Sequence, residues 1–471
     1  MVQKWINQDR KRIIKRIVLF RYRNYSESEA TYERSSDANA GNRAMMEERE
    51  RVLGHMLGEN GLSVFRTLDD VDVAGKRVLV RTDLNVPMQD ARITDATRIE
   101  RALANIREIS EKKGKVVLLS HLGRPKNGRD PKDSLKPVAL ELERQLGRYI
   151  SFASDCTGEF AKSTVKAMRD GDILLLENTR FHAAETKNDP GFVDALAELG
   201  DIYVNDAFAT AHRAHASTEG LAHKLPAYVG RTMQRELEML TSMLADPKRP
   251  LAAIVGGAKV SGKFELLGNL MRRVEYLFVG GGMANTFLAA TGKEIGKSLY
   301  EKKFADVARQ IFADADSANC KLMLPVDAVV ASRLEPNVRW QTVDIDSVGE
   351  NQMILDIGPR TISQVVGLIA AARTLVWNGP VGAFEVAPFH TGTMSIAKVA
   401  AQLTKVGALE TIAGGGDTIA ALNQAGATQD FTYVSAAGGA FLEWLEGKRL
   451  PGVETLRWTS ADKVWVSLSK P

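Results

Sequence analysis

From Leu68 onward, short β-rich runs alternate with segments of helical spacing, and this alternation constrains the chain more than any other feature. Arg77–Arg81, Val116–Leu119, Asp172–Leu176 and Ile202–Val204 read as strands in the first half. Leu251–Val255, Tyr276–Val279, Leu322–Leu324, Thr374–Trp377 and Thr432–Val434 follow in the second. Between them, residues such as Leu135, Val138, Ala139, Leu142 and Leu146 keep one helical face apolar. Parallel strands need a crossover, usually a helix, so the alternation predicts an α/β fold with parallel sheets covered on both faces. Asp246-Pro247-Lys248-Arg249-Pro250 is the best linker. It predicts two α/β domains, over 63–245 and 251–445, joined by a hinge at 246–250.

Charge narrows the function classes once it is localised. The net charge of +4 is set by residues 1–25, which hold eight Lys or Arg against Asp9 and leave −3 for the rest. A body of that charge has no general polyanion-binding face, which argues against a nucleic-acid binder. The first 62 residues are predicted to be a disordered or weakly helical extension, with Ser26–Asn42 polar and aperiodic. The basic amphipathic run around Ile13, Ile14, Ile17, Val18 and Leu19 has two readings, a membrane-surface or targeting element and a solvated tail. No apolar run approaches the ~20 residues that span a bilayer. Cys156 and Cys320 stand far apart without metal-ligand spacing and read as buried thiols of a reducing, cytoplasmic compartment.

Phosphate-handling residues are segregated along the chain. Arginines and histidines follow strands in the first half: Arg98, His121, Arg124, Arg180, His212 and Arg213. Glycine-rich turns follow strands in the second: Gly256-Gly257, Gly280-Gly281-Gly282, Gly414-Gly415-Gly416 and Gly438-Gly439. Guanidinium forks grip phosphate and carboxylate oxygens, whereas glycine lets backbone amides approach a phosphate at a helix start. A small anion on one half, a nucleotide on the other and phosphoryl transfer between them is the reading that follows.

Each element also has a plainer reading. Asp83 and Asn85 share one side of an extended segment and suit a sugar-acid hydroxyl, or form an ordinary Asx turn before Pro87. His212 and His215 lack the third ligand of a zinc site. Gly257–Phe264 nearly matches a P-loop, but Phe264 stands where a magnesium-binding hydroxyl belongs. A P-loop ATPase would need that hydroxyl and would not need the first-half arginines. Lys259 and Lys263 are expected one helical turn apart, facing phosphate together. Asp417, after three glycines, suits Mg²⁺ on a nucleotide, and Glu385 suits a ribose.

Together these segments resemble phosphoglycerate kinase. The resemblance runs from about Phe65 to Val453 through RTDLNVP, SHLGRP, LENTRFH, NDAFATAHRAH, GGAKV, GGGMA, WNGPVGAFE and GGGDT, in family order. It implies two Rossmann-like domains that close on the hinge, with 446–471 returning to the first domain. It implies reversible transfer of the ATP γ-phosphoryl group, with Mg²⁺, to the carboxylate of 3-phosphoglycerate, giving 1,3-bisphosphoglycerate and ADP. The substrate set carried over is Asp83, Leu84, Asn85, Arg98, His121, Leu122, Gly123, Arg124, Arg180 and Arg213. The nucleotide set is Lys259, Lys263, Glu385, Gly415, Gly416, Asp417 and Thr418, with Asp417 on the metal. Arg98, Lys259, Gly416 and Gly439 are implied to be catalytic. The implied partners are the two small-molecule substrates, without nucleic acid or membrane, for a cytoplasmic monomer. Ser435-Ala436-Ala437-Gly438-Gly439-Ala440 departs from the family's usual Ser-Thr-Gly-Gly-Gly-Ala, losing a hydroxyl and a glycine.

Overall fold

Two six-stranded, all-parallel sheets organise the chain, seen in a computed structural model that describes residues 65–90, 92–125, 128–244 and 247–457. The expected N-terminal extension, Asp246 of the linker and the tail from 458 lie outside the described residues. The first sheet contains β1 (Arg77–Thr82), β2 (Lys115–Leu119), β3 (Ser151–Ala153), β4 (Ile173–Leu176), β5 (Ile202–Asp206) and β6 (Ala227–Val229). Their order is β3-β4-β2-β1-β5-β6. The second sheet contains β7 (Leu251–Val255), β8 (Tyr276–Val279), β9 (Lys321–Met323), β10 (Thr374–Asn378), β11 (Glu410–Gly414) and β12 (Tyr433–Ser435). Its order is β9-β8-β7-β10-β11-β12, the doubly wound arrangement.

The predicted central strands form because they are apolar on both faces, as buried parallel strands must be. Val78, Val80, Leu118, Leu175 and Val204 are buried with Ile99 and Ile106 of α1 (Thr97–Glu111), and Ala252, Ile254, Leu375 and Trp377 anchor the second core. The edge strands β3 and β6 escape the sequence reading, whereas β9 and β12, equally short at the edges of the second sheet, are found within one residue of their bounds. An antiparallel sheet of Asp327–Ala331, Trp340–Asp344 and Met353–Ile357 was also not expected. Its strand at Trp340–Asp344 is mostly exposed and lacks a hydrophobic signature.

The described residues divide into two compact units, residues 65–241 with 437–457, and Ser242–Ala436. The first boundary falls inside α2 (Arg231–Leu244), a few residues before the expected linker. The second falls between Ala436 and Ala437, ahead of the expected division at 445. Residues 437–445 belong with the first unit, because Trp444 meets Phe208 edge-on at 6.1 Å. Gly452 N donates to Ala211 O at 2.8 Å, and Asn205 Nδ2 donates to Gly452 O at 3.3 Å.

Candidate active site

In open parallel sheets, ligands bind beyond the carboxyl ends of strands, where the strand order reverses. In the first unit that place lies between β1 and its neighbours β2 and β5, and the segments leaving those strands carry the cations. Asp83 leaves β1 and takes Arg98 Nη1 on both carboxylate oxygens, at 2.9 and 3.0 Å. Its Oδ1 also accepts from Asn85 N at 3.2 Å, so the Asx turn and the charged contact coexist. Asn85 Oδ1 accepts from Gly123 N at 2.8 Å, tying the β1 exit to the β2 exit. Gly123 has φ +63°, and a Cβ there would meet Asp133 Oδ1 at 2.6 Å. Leu84 N donates to Ser120 Oγ at 3.0 Å, and Leu122 is clamped by both ends of the Asn178 amide. Arg180 Nη1 donates to Gly123 O at 2.7 Å, while Arg124 is exposed and Arg213 half-buried.

Three residues that sequence reasoning passed over, Arg81, Ser217 and Glu185, organise this group. Arg81, 1% exposed, lies at the end of β1. It donates from Nη2 to His121 Nδ1 at 2.9 Å and from Nε to Ser217 Oγ at 2.9 Å. Ser217 Oγ in turn donates to Glu185, which is fully buried. The available signal was an arginine at the carboxyl end of a parallel strand, directly after the apolar run Val78-Leu79-Val80, since a charge there is buried only with partners.

Because a guanidinium only donates, His121 Nδ1 is the acceptor and its proton sits on Nε2. Burial, then the fields of Arg81, Arg180, Arg213 and Arg98, holds this imidazole well below its ordinary value. His121 is therefore a neutral donor. Burial, then Arg213 and Arg81, pushes Arg180 down to about 10 against the opposing pull of Glu185. Burial with nearby arginines also takes His212 and His215 to about 4. Surroundings this cationic disfavour a metal at the two histidines and favour an anion. Gly439 belongs here too, since a Cβ on it would stand 3.4 Å from His212 Nε2.

The second unit repeats the plan with glycine in place of arginine. Gly256 N donates to Asn378 O at 2.8 Å, closing the β7 and β10 exits against each other. Gly379 has φ +95° and would drive a Cβ to 2.2 Å from Gly256 O, so only glycine fits. Lys263 Nζ donates to Gly256 O at 2.6 Å and Asn378 Oδ1 at 2.7 Å. Burial lowers its pKa to about 8, with Asp417 pulling the other way. The segment from Gly257 to Lys263 is a turn, not the expected helical turn, because α3 (Phe264–Met271) begins only after Lys263. Lys263 is thus folded onto the strand exits while Lys259 stands exposed.

Gly415, with φ +98°, introduces α4 (Gly416–Gln424). Thr418 Oγ1 accepts from Gly379 N at 2.7 Å and donates to Gly414 O at 2.9 Å, joining that helix to the β10 turn. A Cβ on Gly416 would meet nothing within 4 Å, so the helix start faces open space. Asp417 is exposed in the first turn, and Glu385 is exposed beyond the β10 turn.

Comparison with known proteins accounts for both halves. The sequence model of the family described as "Phosphoglycerate kinase" matches residues 68–448. The chain belongs to the phosphoglycerate kinase family. It is 60% identical over 397 residues to the phosphoglycerate kinase of Methylobacterium radiotolerans, covering 84% of this chain and 99% of the relative. It is 59% identical over 396 residues to that of Xanthobacter autotrophicus, covering 84% and 100%. Among solved structures, the phosphoglycerate kinase of Coxiella burnetii aligns with a TM-score of 0.78 at 44% identity, covering 83% of this chain and 98% of that one. That of Pyrococcus horikoshii aligns at 0.71 and 30% identity, with the same coverage. Membership of this family makes the chain a phosphotransferase.

Proposed function

We propose that this chain transfers the γ-phosphoryl group of ATP to the carboxylate of 3-phosphoglycerate, reversibly, through the residues described above. The observation that supports the reading best is the excess of positive charge around a neutral His121. Arg81, Arg98, Arg180 and Arg213 all act on its imidazole, while Asp83 and Asp95 answer Arg98 and Glu185 answers Arg180 and, through Ser217, Arg81. A compact anion with two charged ends relieves the excess.

In this reading Arg98 receives the carboxylate, while His121 Nε2, Arg124, Arg180 and Arg213 receive the phosphate. Asp83 and Asn85 orient the hydroxyl between them, with Leu84, Leu122 and Gly123 forming the backbone of the pocket. The acceptor carboxylate is ionised at neutral pH, so no general base is needed. The protein's task is alignment and charge neutralisation. On the donor half, Lys259 and Lys263 meet the phosphates and the migrating group, Glu385 the ribose, and Gly415, Gly416 and Thr418 the phosphate oxygens. Gly439 presents backbone to the transferred group.

The residues fit a magnesium ion carried by the nucleotide. Asp417 offers one exposed carboxylate beside an open helix start, and Mg²⁺ is commonly held by one or two carboxylates together with phosphates and water. When bound, the ion would neutralise phosphate charge. The substrates in this reading are small molecules, and among the described residues no helix is long and apolar enough to cross a bilayer. A cytoplasmic monomer remains part of the proposal.

Purified protein given 3-phosphoglycerate and Mg·ATP should release ADP, with turnover lost when the acid is withheld. ADP release independent of the acid would overturn the assignment in favour of a plain ATPase.

A further inference from the structure

Residues 27 positions apart in sequence converge on one cluster that the transfer reaction does not use. Asp155 and Cys156 follow β3, and His182 follows the short turn Thr179–Phe181. A carboxylate oxygen, the Cys156 sulfur and an imidazole nitrogen all lie within 4.8 Å of one another. We propose that Asp155, Cys156 and His182 form a binding site for a soft or borderline divalent cation of the zinc class, separate from the magnesium of the nucleotide.

The imidazole and carboxylate stand close to the spacing such an ion requires, with the sulfur within 4.8 Å of both. Zinc bonds of about 2.0–2.1 Å to nitrogen and oxygen and about 2.3 Å to sulfur place tetrahedral ligands roughly 3.3–3.6 Å apart. His182 Nε2 and Asp155 Oδ1 are now 2.7 Å apart, so they need to open by only about 0.6 Å to share an ion. The sulfur is buried, whereas the His182 and Asp155 side chains are 31% and 29% exposed, which leaves an approach from solvent. Phe192 packs beside the imidazole with ring centroids 5.0 Å apart and restricts its motion.

The donor set decides the metal class. Thiolate and imidazole favour zinc or cobalt over magnesium, which prefers six oxygen ligands. Coordination requires the Cys156 sulfur to bind as thiolate, its proton released to solvent, and His182 Nε2, which now donates to Asp155, to bind through its lone pair with the ring proton on Nδ1. Arg129 is the competitor. It pairs with Asp155 and donates from Nη1 to Ser154 O at 2.9 Å, and its half-exposed side chain must give way when the cation enters.

Cobalt(II) alone, titrated into the reduced full chain, tests the site through the near-ultraviolet thiolate-to-cobalt band. One equivalent should produce the band, zinc should abolish it, and a tenfold excess of magnesium should not. Cys156→Ser should lose the band while Cys320→Ser keeps it. His182→Gln should weaken binding at least about tenfold. Arg129→Ala should strengthen it at least about fivefold by removing a competing charge. If Cys156→Ser does not fold, the opposite shifts of the two surface variants still decide the matter. Absence of the band, its survival in Cys156→Ser, its displacement by magnesium, or unchanged affinity in both surface variants would overturn the site.

Discussion

Replacing Arg98 by alanine removes more than one charge contact, because Arg98 also neutralises Asp83. The guanidinium holds both Asp83 oxygens at 2.9–3.0 Å, with Arg98 35% and Asp83 16% exposed at the side chain. Unit charges about 4 Å apart interact by ~1 kcal/mol in water and ~4 kcal/mol at an effective dielectric of 20. Partial exposure favours the lower half, about 1–2 kcal/mol for each contact. Arg98→Ala loses attraction to the acid and exposes it to an uncompensated Asp83, so the two effects act together. The expected fall in kcat/KM for 3-phosphoglycerate is about 30-fold to 10³-fold, with KM for ATP near wild type. Adding Asp83→Asn removes the repulsion while keeping a polar group for the hydroxyl, and should recover about tenfold. The assay is steady-state turnover at saturating Mg·ATP with varied acid, on variants whose circular dichroism matches wild type. A single variant within about threefold of wild type would remove Arg98 from the mechanism. A double variant no better than the single would refute the compensating-charge argument.

Lys263, held at about 8 by burial, loses its charge above that pH in the free enzyme, so kcat/KM for ATP should fall on an alkaline limb. Lys263→Arg should shift the limb upward, and an unmoved limb would assign it to another group. His212 and His215 sit near 4 when folded against ~6.5 unfolded, so the unfolded chain binds more protons between those values. Stability should therefore be fully present above about pH 7 and decline as pH falls from ~6.5 toward 4. Urea midpoints across that range check this, with a smaller slope expected in His215→Asn; stabilisation on acidification would contradict it. Deleting residues 1–62 should leave turnover intact, because the family match begins at residue 68. Folded but inactive truncated protein would make the extension part of the enzyme.

What the amino-acid sequence determined by itself was the α/β alternation, the central strands and the order of the phosphate-handling segments. Those signals are local: a strand buried on both faces must be apolar, and a close backbone approach needs glycine wherever the residue falls. Leu251–Val255 and Tyr276–Val279 match their predicted bounds for this reason. The largely exposed Trp340–Asp344 carries too little pattern to be found that way, and the short edge strands Ser151–Ala153 and Ala227–Val229 were missed as well. The surroundings of the candidate site were legible as residue types but not as relationships. Only the tertiary structure set Arg81 against His121, which fixes the proton on Nε2, and folded Lys263 onto Gly256 and Asn378 while Lys259 stayed exposed. Only it moved Gly439 beside His212 and gathered Asp155, Cys156 and His182. Burial, tautomer and ligand distance depend on groups far apart in the chain, and long-range packing brings them together.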